Sequence, residues 1–336
     1  MRQTGCPGLV VRVERRGQVV LERAWGWADV PRRRPMDPGA VFRVGSISKI
    51  ATAMAVVRLG ELGLIGLDDP VERHLRSWRF TPESAAGFDT RNVTIRRVLS
   101  HTAGLNSGWA VFVPERTPLP GAAAVLAGRV DGHPKLMLES EPGTAVRYTG
   151  MGYTLMQCLV EDVTGLPFVA AMGQLVLGPL GLKWTGYDVT RAMRKRMPTG
   201  HDAHGAPLPL TTTANLASSR LLSSAADLAR LWGSVLPGSR GVLSPAGAEA
   251  MRTVQTAGLD GQPWGLGFYL WHPEGEVIFA HGGWLTGWYS QAEGFTNRGV
   301  VAVVLSNGEG GKPCVKQVSE MLRELILAMP ADHAAG

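Results

Sequence analysis

A chain of 336 residues with 45% hydrophobic and 18% charged side chains is long enough to bury a substantial core, and too apolar to be wholly disordered. The formal net charge of +6 is carried mostly by arginine. The basic runs Arg32-Arg33-Arg34 and 191–196 lie far apart, each between turn-rich segments, which argues against the single basic stripe of a nucleic-acid binder. Three cysteines, Cys6, Cys158 and Cys314, have no metal spacing and make an odd count, which argues against a secreted disulfide framework. No run of about 18 apolar residues is present, so no membrane span is expected. The chain enters strand-like sequence almost at once, without a charged-then-apolar leader, and the expectation is a cytoplasmic protein.

In chain order, residues 8–24 alternate apolar and polar around Arg15-Arg16-Gly17, which predicts a β-hairpin. The stretch 46–62 is apolar nearly all round and is followed by Gly63, the pattern of a helix buried in the middle of a domain. Further helices are predicted over 92–100 and 152–165. The second carries Leu155, Met156, Leu159, Val160 and Val163 at helical spacing, with Glu161 and Asp162 opposite. Residues 197–216, rich in Pro, Thr, Gly and His, read as a surface excursion. A short helix starts at Ser223-Ser224-Ala225-Ala226-Asp227, and strands follow over 277–281, 289–295 and 300–306. An amphipathic helix from about 314 to 329 ends the chain, with Val315, Val318, Leu322, Leu325 and Ile326 on one face. The expected fold is mixed α/β (α+β). One antiparallel sheet flanked by helices is built from both chain ends, 1–45 and 217–336. A mainly helical region, 46–216, is inserted and carries the Ser46 helix at the interface.

Three short motifs carry candidate chemistry. Val44-Gly45-Ser46-Ile47-Ser48-Lys49 opens the buried helix, and positions three apart share a helix face, so the Lys49 amine can reach the Ser46 hydroxyl. Serine needs a base before it acts as a nucleophile. A lysine inside an apolar helix, for its part, needs a partner or a depressed pKa. Tyr148-Thr149-Gly150 stands just ahead of a helix, where a phenol could share the proton of Ser46. His281-Gly282-Gly283-Trp284 follows a strand, and its paired glycines let a substrate lie along the backbone. An N–H there could complete an oxyanion hole with that of Ser46. Other signals fail on inspection. His272-Pro273-Glu274 with Pro313-Cys314 resembles a zinc-deaminase signature, but Lys316 and Gln317 stand where the second cysteine belongs, so no metal is expected. Ser100 and His101, adjacent in a helix, point apart and are expected to end that helix and buttress the site. No G-x-S-x-G elbow exists.

Together the three motifs make the chain resemble the serine β-lactamase-related family, which includes class C β-lactamases, penicillin-binding proteins, and related carboxylesterases and transacylases. The resemblance extends to Leu67-Asp68-Asp69-Pro70, Leu99-Ser100-His101-Thr102-Ala103-Gly104-Leu105, Leu222-Ser223-Ser224-Ala225-Ala226-Asp227-Leu228, Gly265-Leu266-Gly267-Phe268 and Ser306-Asn307-Gly308. It implies a β-lactamase/transpeptidase-like fold without cofactor or metal. It further implies that Ser46 is acylated, that Lys49 and Tyr148 shuttle the proton, and that His281, Gly282 and Gly283 edge the site. The N–H groups of Ser46 and Trp284 would form the oxyanion hole. Gly150 stands where the family usually has Asn, and His281-Gly282-Gly283 stands where it usually has Lys-Thr-Gly. A partly charged His281 would recognise anions more weakly than lysine does. The helix that commonly precedes the first hairpin is not seen in this sequence.

These readings lead to an esterase-like acyl hydrolase working through acyl-Ser46 on a small-molecule acyl donor, with neither nucleic acid nor membrane as partner. The runner-up is a transacylase passing the acyl group to an amine or alcohol; a β-lactamase or D-amino-acid peptidase ranks below it. A catalytically silent acyl-ligand binder is the alternative of another class. Residues 106–140 are expected to cover the site, and Trp109, Trp284 and Trp288 to lie near the substrate.

Overall fold

The computed structural model describes residues 5–331. Its strands are β1 (Gly8–Arg15), β2 (Gln18–Asp29), β3 (Arg34–Pro35), β4 (Val41–Arg43), β5 (Val113–Pro114), β6 (Thr211–Thr212), β7 (Leu222–Ser224), β8 (Tyr269–Trp271), β9 (Ile278–Leu285), β10 (Trp288–Phe295) and β11 (Val300–Ser306). The predicted hairpin joins β1 to β2 through Arg16 and Gly17. Both have positive φ, 50° and 76°, the conformation that matches a two-residue turn to the twist of its strands.

Seven strands form one antiparallel sheet in the order β3-β2-β1-β11-β10-β9-β8, so both chain ends meet in its middle. Leu9 opposes Ser306 and Arg15 opposes Val300 across the β1–β11 pair. Every residue of β11 is buried because helices cover both faces. Val301, Val303 and Leu305 point into the main core, while Val300, Ala302 and Val304 point to a second cluster. That cluster lies under the terminal helix, numbered α4 below. This is the period-two alternation of a strand covered on both sides.

Four longer helices organise the rest: α1 (Ser48–Glu61), α2 (Met151–Thr164), α3 (Ala225–Gly233) and α4 (Gly311–Leu327). α1 passes through the main core with all but a few residues near its C-terminus enclosed. α2 ends at Gly165 in the left-handed conformation (φ 68°), the stop its sequence announces. Ser224 caps α3 by accepting from the Asp227 N–H. Among the described residues no single helix is long and apolar enough to cross a membrane.

Several expectations need correction. The predicted helix over 92–100 is a 3₁₀ turn (Thr90–Asn92) followed by a five-residue helix, Ile95–Leu99. The sheet gains an edge strand, β8, too short to show a period. On α4, Leu325 is 65% exposed: Val315, Val318, Leu322 and Ile326 follow the inward stripe, and Leu325 falls outside it. Residues 197–216 are no mere surface excursion. His201 is fully buried, its backbone N–H donates to the Asn307 carbonyl (3.0 Å), and its Nε2 accepts from the Val30 N–H (3.1 Å). Thr199 and His201 bind the end of the sheet, while residues 203–209 stay largely at the surface, as expected.

Candidate active site

Ser46 lies in a single 3₁₀ turn, Gly45–Ile47, between β4 and α1. The turn presses on β9. Gly45 has φ +56°, and a Cβ there would sit 2.9 Å from the Trp284 nitrogen, while a Cβ at Gly283 would fall on the Val44 carbonyl. Ser48 fixes the turn by donating to the Gly45 carbonyl (2.6 Å) and accepting from the Leu221 N–H (2.9 Å). The glycines predicted to admit a substrate therefore also let the serine turn and β9 touch.

Lys49 is 2% exposed. Its Nζ donates to Ser46 Oγ at 3.2 Å and to the Ser218 carbonyl at 2.9 Å. It also lies 5.1 Å and 5.6 Å from the ring centres of Tyr148 and Tyr153. Ser218 sits in the short helix Leu216–Ser219, whose last carbonyls have no partner within the helix and suit a cation. Among the described residues no carboxylate comes within ion-pair distance of Lys49. A carbonyl, a hydroxyl and two ring faces meet its charge instead.

Tyr148 is half-buried on the far side of Lys49. Tyr153 is enclosed, donates its hydroxyl to the Leu99 carbonyl at 3.0 Å, and is pushed well above the usual tyrosine range by burial, so it stays a phenol. Of the two tyrosines facing Lys49, Tyr148 is the one whose hydroxyl is not committed in this way. Behind it stands His101, as the buttress reading expects. Its φ is +60°, its ring centre lies 4.5 Å from Tyr148 and 4.6 Å from Trp264, and its Nδ1 accepts from the Thr149 N–H at 3.3 Å.

His281 is also enclosed, 2% exposed, with Nδ1 2.6 Å from the Gly282 carbonyl, a contact in which the ring must donate. Burial first, then the charge of Lys49, lowers its pKa to about 3, and the same two causes hold His101 well below the usual histidine range. This corrects the expected partial charge: His281 is neutral at pH 7 and offers no cation. The two tautomers are opposite, His101 bearing its proton on Nε2 and His281 on Nδ1. Both Nε2 atoms are buried without a protein partner.

At Gly150 a Cβ would lie 2.9 Å from the Gly108 carbonyl and 3.7 Å from Ser218 Oγ. The start of the 106–140 segment thus fills the space an Asn side chain would use, held there by Thr149 Oγ1 donating to the Asn106 carbonyl at 2.7 Å. Trp109 is 66% exposed with its ring 6.2 Å from Tyr148, and Trp284 is 55% exposed on β9, so both can meet a ligand. Trp288 cannot. It is buried edge-on against Phe42 at 6.0 Å and belongs to the core. The sequence reading missed Ser218, Tyr153, Trp264 and Tyr269. Ser218 acts through its backbone carbonyl, which any residue supplies.

Residues 1–322 match the β-lactamase family model. Esterase EstB of Burkholderia gladioli is 32% identical over 216 residues, 62% of this chain and 54% of that protein. The D-aminopeptidase of Brucella anthropi is 27% identical over 340 residues, 98% of this chain and 61% of that protein. The chain thus spans somewhat over half the length of these two curated relatives. Among solved structures, the penicillin-binding protein from Bacillus halodurans superposes with a TM-score of 0.77 at 20% identity, covering 96% of this chain and 97% of that one. The chain belongs to the β-lactamase family.

Proposed function

We propose that the protein is a serine acyl hydrolase that cleaves small ester-like substrates through an acyl-Ser46 intermediate. Lys49 carries the proposal: an enclosed amine 3.2 Å from Ser46 Oγ, without a carboxylate partner among the described residues, is poised to handle the serine proton. A lysine kept only for structure would be expected to meet a carboxylate in so apolar a helix.

In the proposed reaction Ser46 Oγ attacks the acyl carbonyl carbon while its proton passes to the Lys49–Tyr148 pair. The N–H groups of Ser46 and Trp284 stabilise the oxyanion, and the close approach of Gly45 to the Trp284 backbone supports that pairing. As the tetrahedral intermediate collapses, the leaving alcohol takes the proton. A water molecule then attacks the acyl-enzyme, releasing the acid and restoring the Ser46 hydroxyl. Neutral His281 and the closed space at Gly150 remove the cation and the amide that would hold a β-lactam or acylamino substrate, which supports esters.

Labelling with a fluorophosphonate tests the nucleophile. Wild type should label and Ser46→Ala should not; equal labelling of both, or of neither, would overturn the assignment. Short-chain p-nitrophenyl esters should turn over faster than a chromogenic cephalosporin, and the reverse order would overturn the ester preference.

A further inference from the structure

On the other side of the Ser46 turn lies a second enclosed cation. Arg43, the last residue of β4, is 8% exposed. One guanidinium nitrogen donates to Thr211 Oγ1 at 2.9 Å, and the group lies 5.6 Å from the Phe112 ring centre. Among the described residues no carboxylate forms an ion pair with it. Burial lowers its pKa to about 10, so it remains charged at pH 7. A guanidinium carries five N–H donors, and the Thr211 contact uses one of its nitrogens.

Arg43 borders a cavity of about 300 Å³. Arg116, Arg194 and Arg220 also line it, with Glu115 and Asp188 as the acids. Arg194 engages both oxygens of Glu115, at 2.6 and 2.7 Å, and Arg220 takes Asp188 at 2.8 Å. Both acids are therefore engaged. Arg43 and the exposed Arg116 leave two positive charges uncompensated by the lining. Were Arg43 only a structural cation, Glu115, the one acid that draws its pKa upward, would be expected on it and not on Arg194.

Two of the cavity's lining residues, Arg43 and Arg220, lie close along the chain to residues of the catalytic site. Arg43 precedes Ser46 by three residues, an upper bound of roughly 10 Å along the backbone. Arg220 follows Ser218, whose carbonyl holds Lys49. Phe112 belongs to the segment that closes over Gly150.

We propose that this cavity is an anion subsite that receives the free carboxylate of the substrate's acyl chain, with Arg43 as its clamp and Arg116 at its mouth. The preferred acyl donor is then a half-ester of a medium-length dicarboxylic acid. The inference rests on the acyl-Ser46 reading above. It also relocates anion recognition: the cation absent at His281 is supplied from the opposite side of the serine turn.

The test compares p-nitrophenyl adipate and suberate half-esters with the uncharged hexanoate and octanoate esters. Charge-assisted pairing predicts kcat/KM higher for the half-ester by about tenfold or more in wild type. Arg43→Met should bring that ratio to about one or below, Arg43→Lys should keep part of it, and Arg116→Ala should reduce it less. Should Arg43→Met fail to fold, free adipate must inhibit hexanoate-ester turnover by wild type competitively and better than free hexanoate does. A wild-type ratio near one, a ratio unmoved by Arg43→Met, or no competition by adipate would each overturn the subsite. Hexanoate turnover that survives in Ser46→Ala would instead overturn the acyl-Ser46 reading, so the two failures are distinguishable.

Discussion

Lys49 and Arg43 flank one turn in the chain, both buried, both basic and neither in an ion pair with a carboxylate among the described residues. Their surroundings differ. Lys49 is closed in by a carbonyl, the Ser46 hydroxyl and the faces of Tyr148 and Tyr153. Arg43 has a threonine hydroxyl and one ring beside it and an open cavity in front. A single enclosed lysine next to a serine prepares a proton transfer. A fork of N–H donors facing a cavity prepares recognition of a planar anion. In the proposed reading the same burial serves two different ends, decided by what is left unoccupied around each side chain.

The largest expected effect separates the two cations outright. Lys49→Met should lower kcat for an ester by about 10²–10⁴-fold, the range for losing a positioned proton acceptor. Lys49→Arg should not restore it, because a guanidinium does not give up its proton. Steady-state kinetics with an uncharged ester decide this, and an arginine variant near wild-type rate would show that only the charge at residue 49 matters. Next comes Gly150→Asn. An added side chain meets the Gly108 carbonyl, so a loss of about 1–3 kcal/mol of stability is expected, read from denaturant midpoints, with no gain in cephalosporin turnover. A stable variant that hydrolyses cephalosporins would show that the 106–108 backbone yields. Arg43→Met should then appear mainly as a raised KM for the half-ester, by about tenfold, the signature of lost ground-state binding.

A further expected effect concerns pH. The folded pKa of His281, about 3, lies below its unfolded value near 6.5, and His101 is shifted the same way. The unfolded chain therefore binds these protons first. The stability from keeping His281 neutral is complete above about pH 6.5 and is lost as pH falls toward 3, by up to about 1.4 kcal/mol per pH unit, and His101 acts in the same direction. Urea midpoints measured between pH 7.5 and 5 should fall less steeply for His281→Asn than for wild type. Identical slopes would mean that His281 is already charged in the folded protein.

Much of this arrangement was legible beforehand, for identifiable reasons. Ser46 and Lys49 fall three apart in an apolar helix, and that context made the lysine hard to explain as a solvated side chain. The sheet's central strands showed their periods because their two faces differ or both are buried. His101 could be placed as a support because it follows Ser100 at a helix end, where adjacent side chains point apart and cannot act as a nucleophile–base pair. What escaped depended on partners distant in sequence. Arg43 is buried by Phe112 and Thr211, from two segments that nothing in β4 announces. Ser218 contributes only a carbonyl, and Thr199 and His201 look solvated in the sequence although their polar groups bind the end of the sheet. Trp288 and Leu325 went wrong in opposite directions, one inward and one outward, because hydrophobicity fixes neither the depth nor the exact face of a side chain.

The place of β11 between β1 and β10 sets the order in which the protein can assemble. Leu9 leaves the ribosome early and waits for Ser306, almost the whole chain later, before its strand has a neighbour on that side. Until then α3 has no completed sheet to rest on, and the Ser46 turn has no β9 to press against. Such distant pairings are slow to form. A nascent or truncated chain lacking β9 to β11 should therefore present Ser46 and Lys49 in a collapsed but inactive state, with the apolar side of β1 open to other chains. The Ser46 site is completed only when about the last fifth of the chain, which carries β9 to β11, has been made.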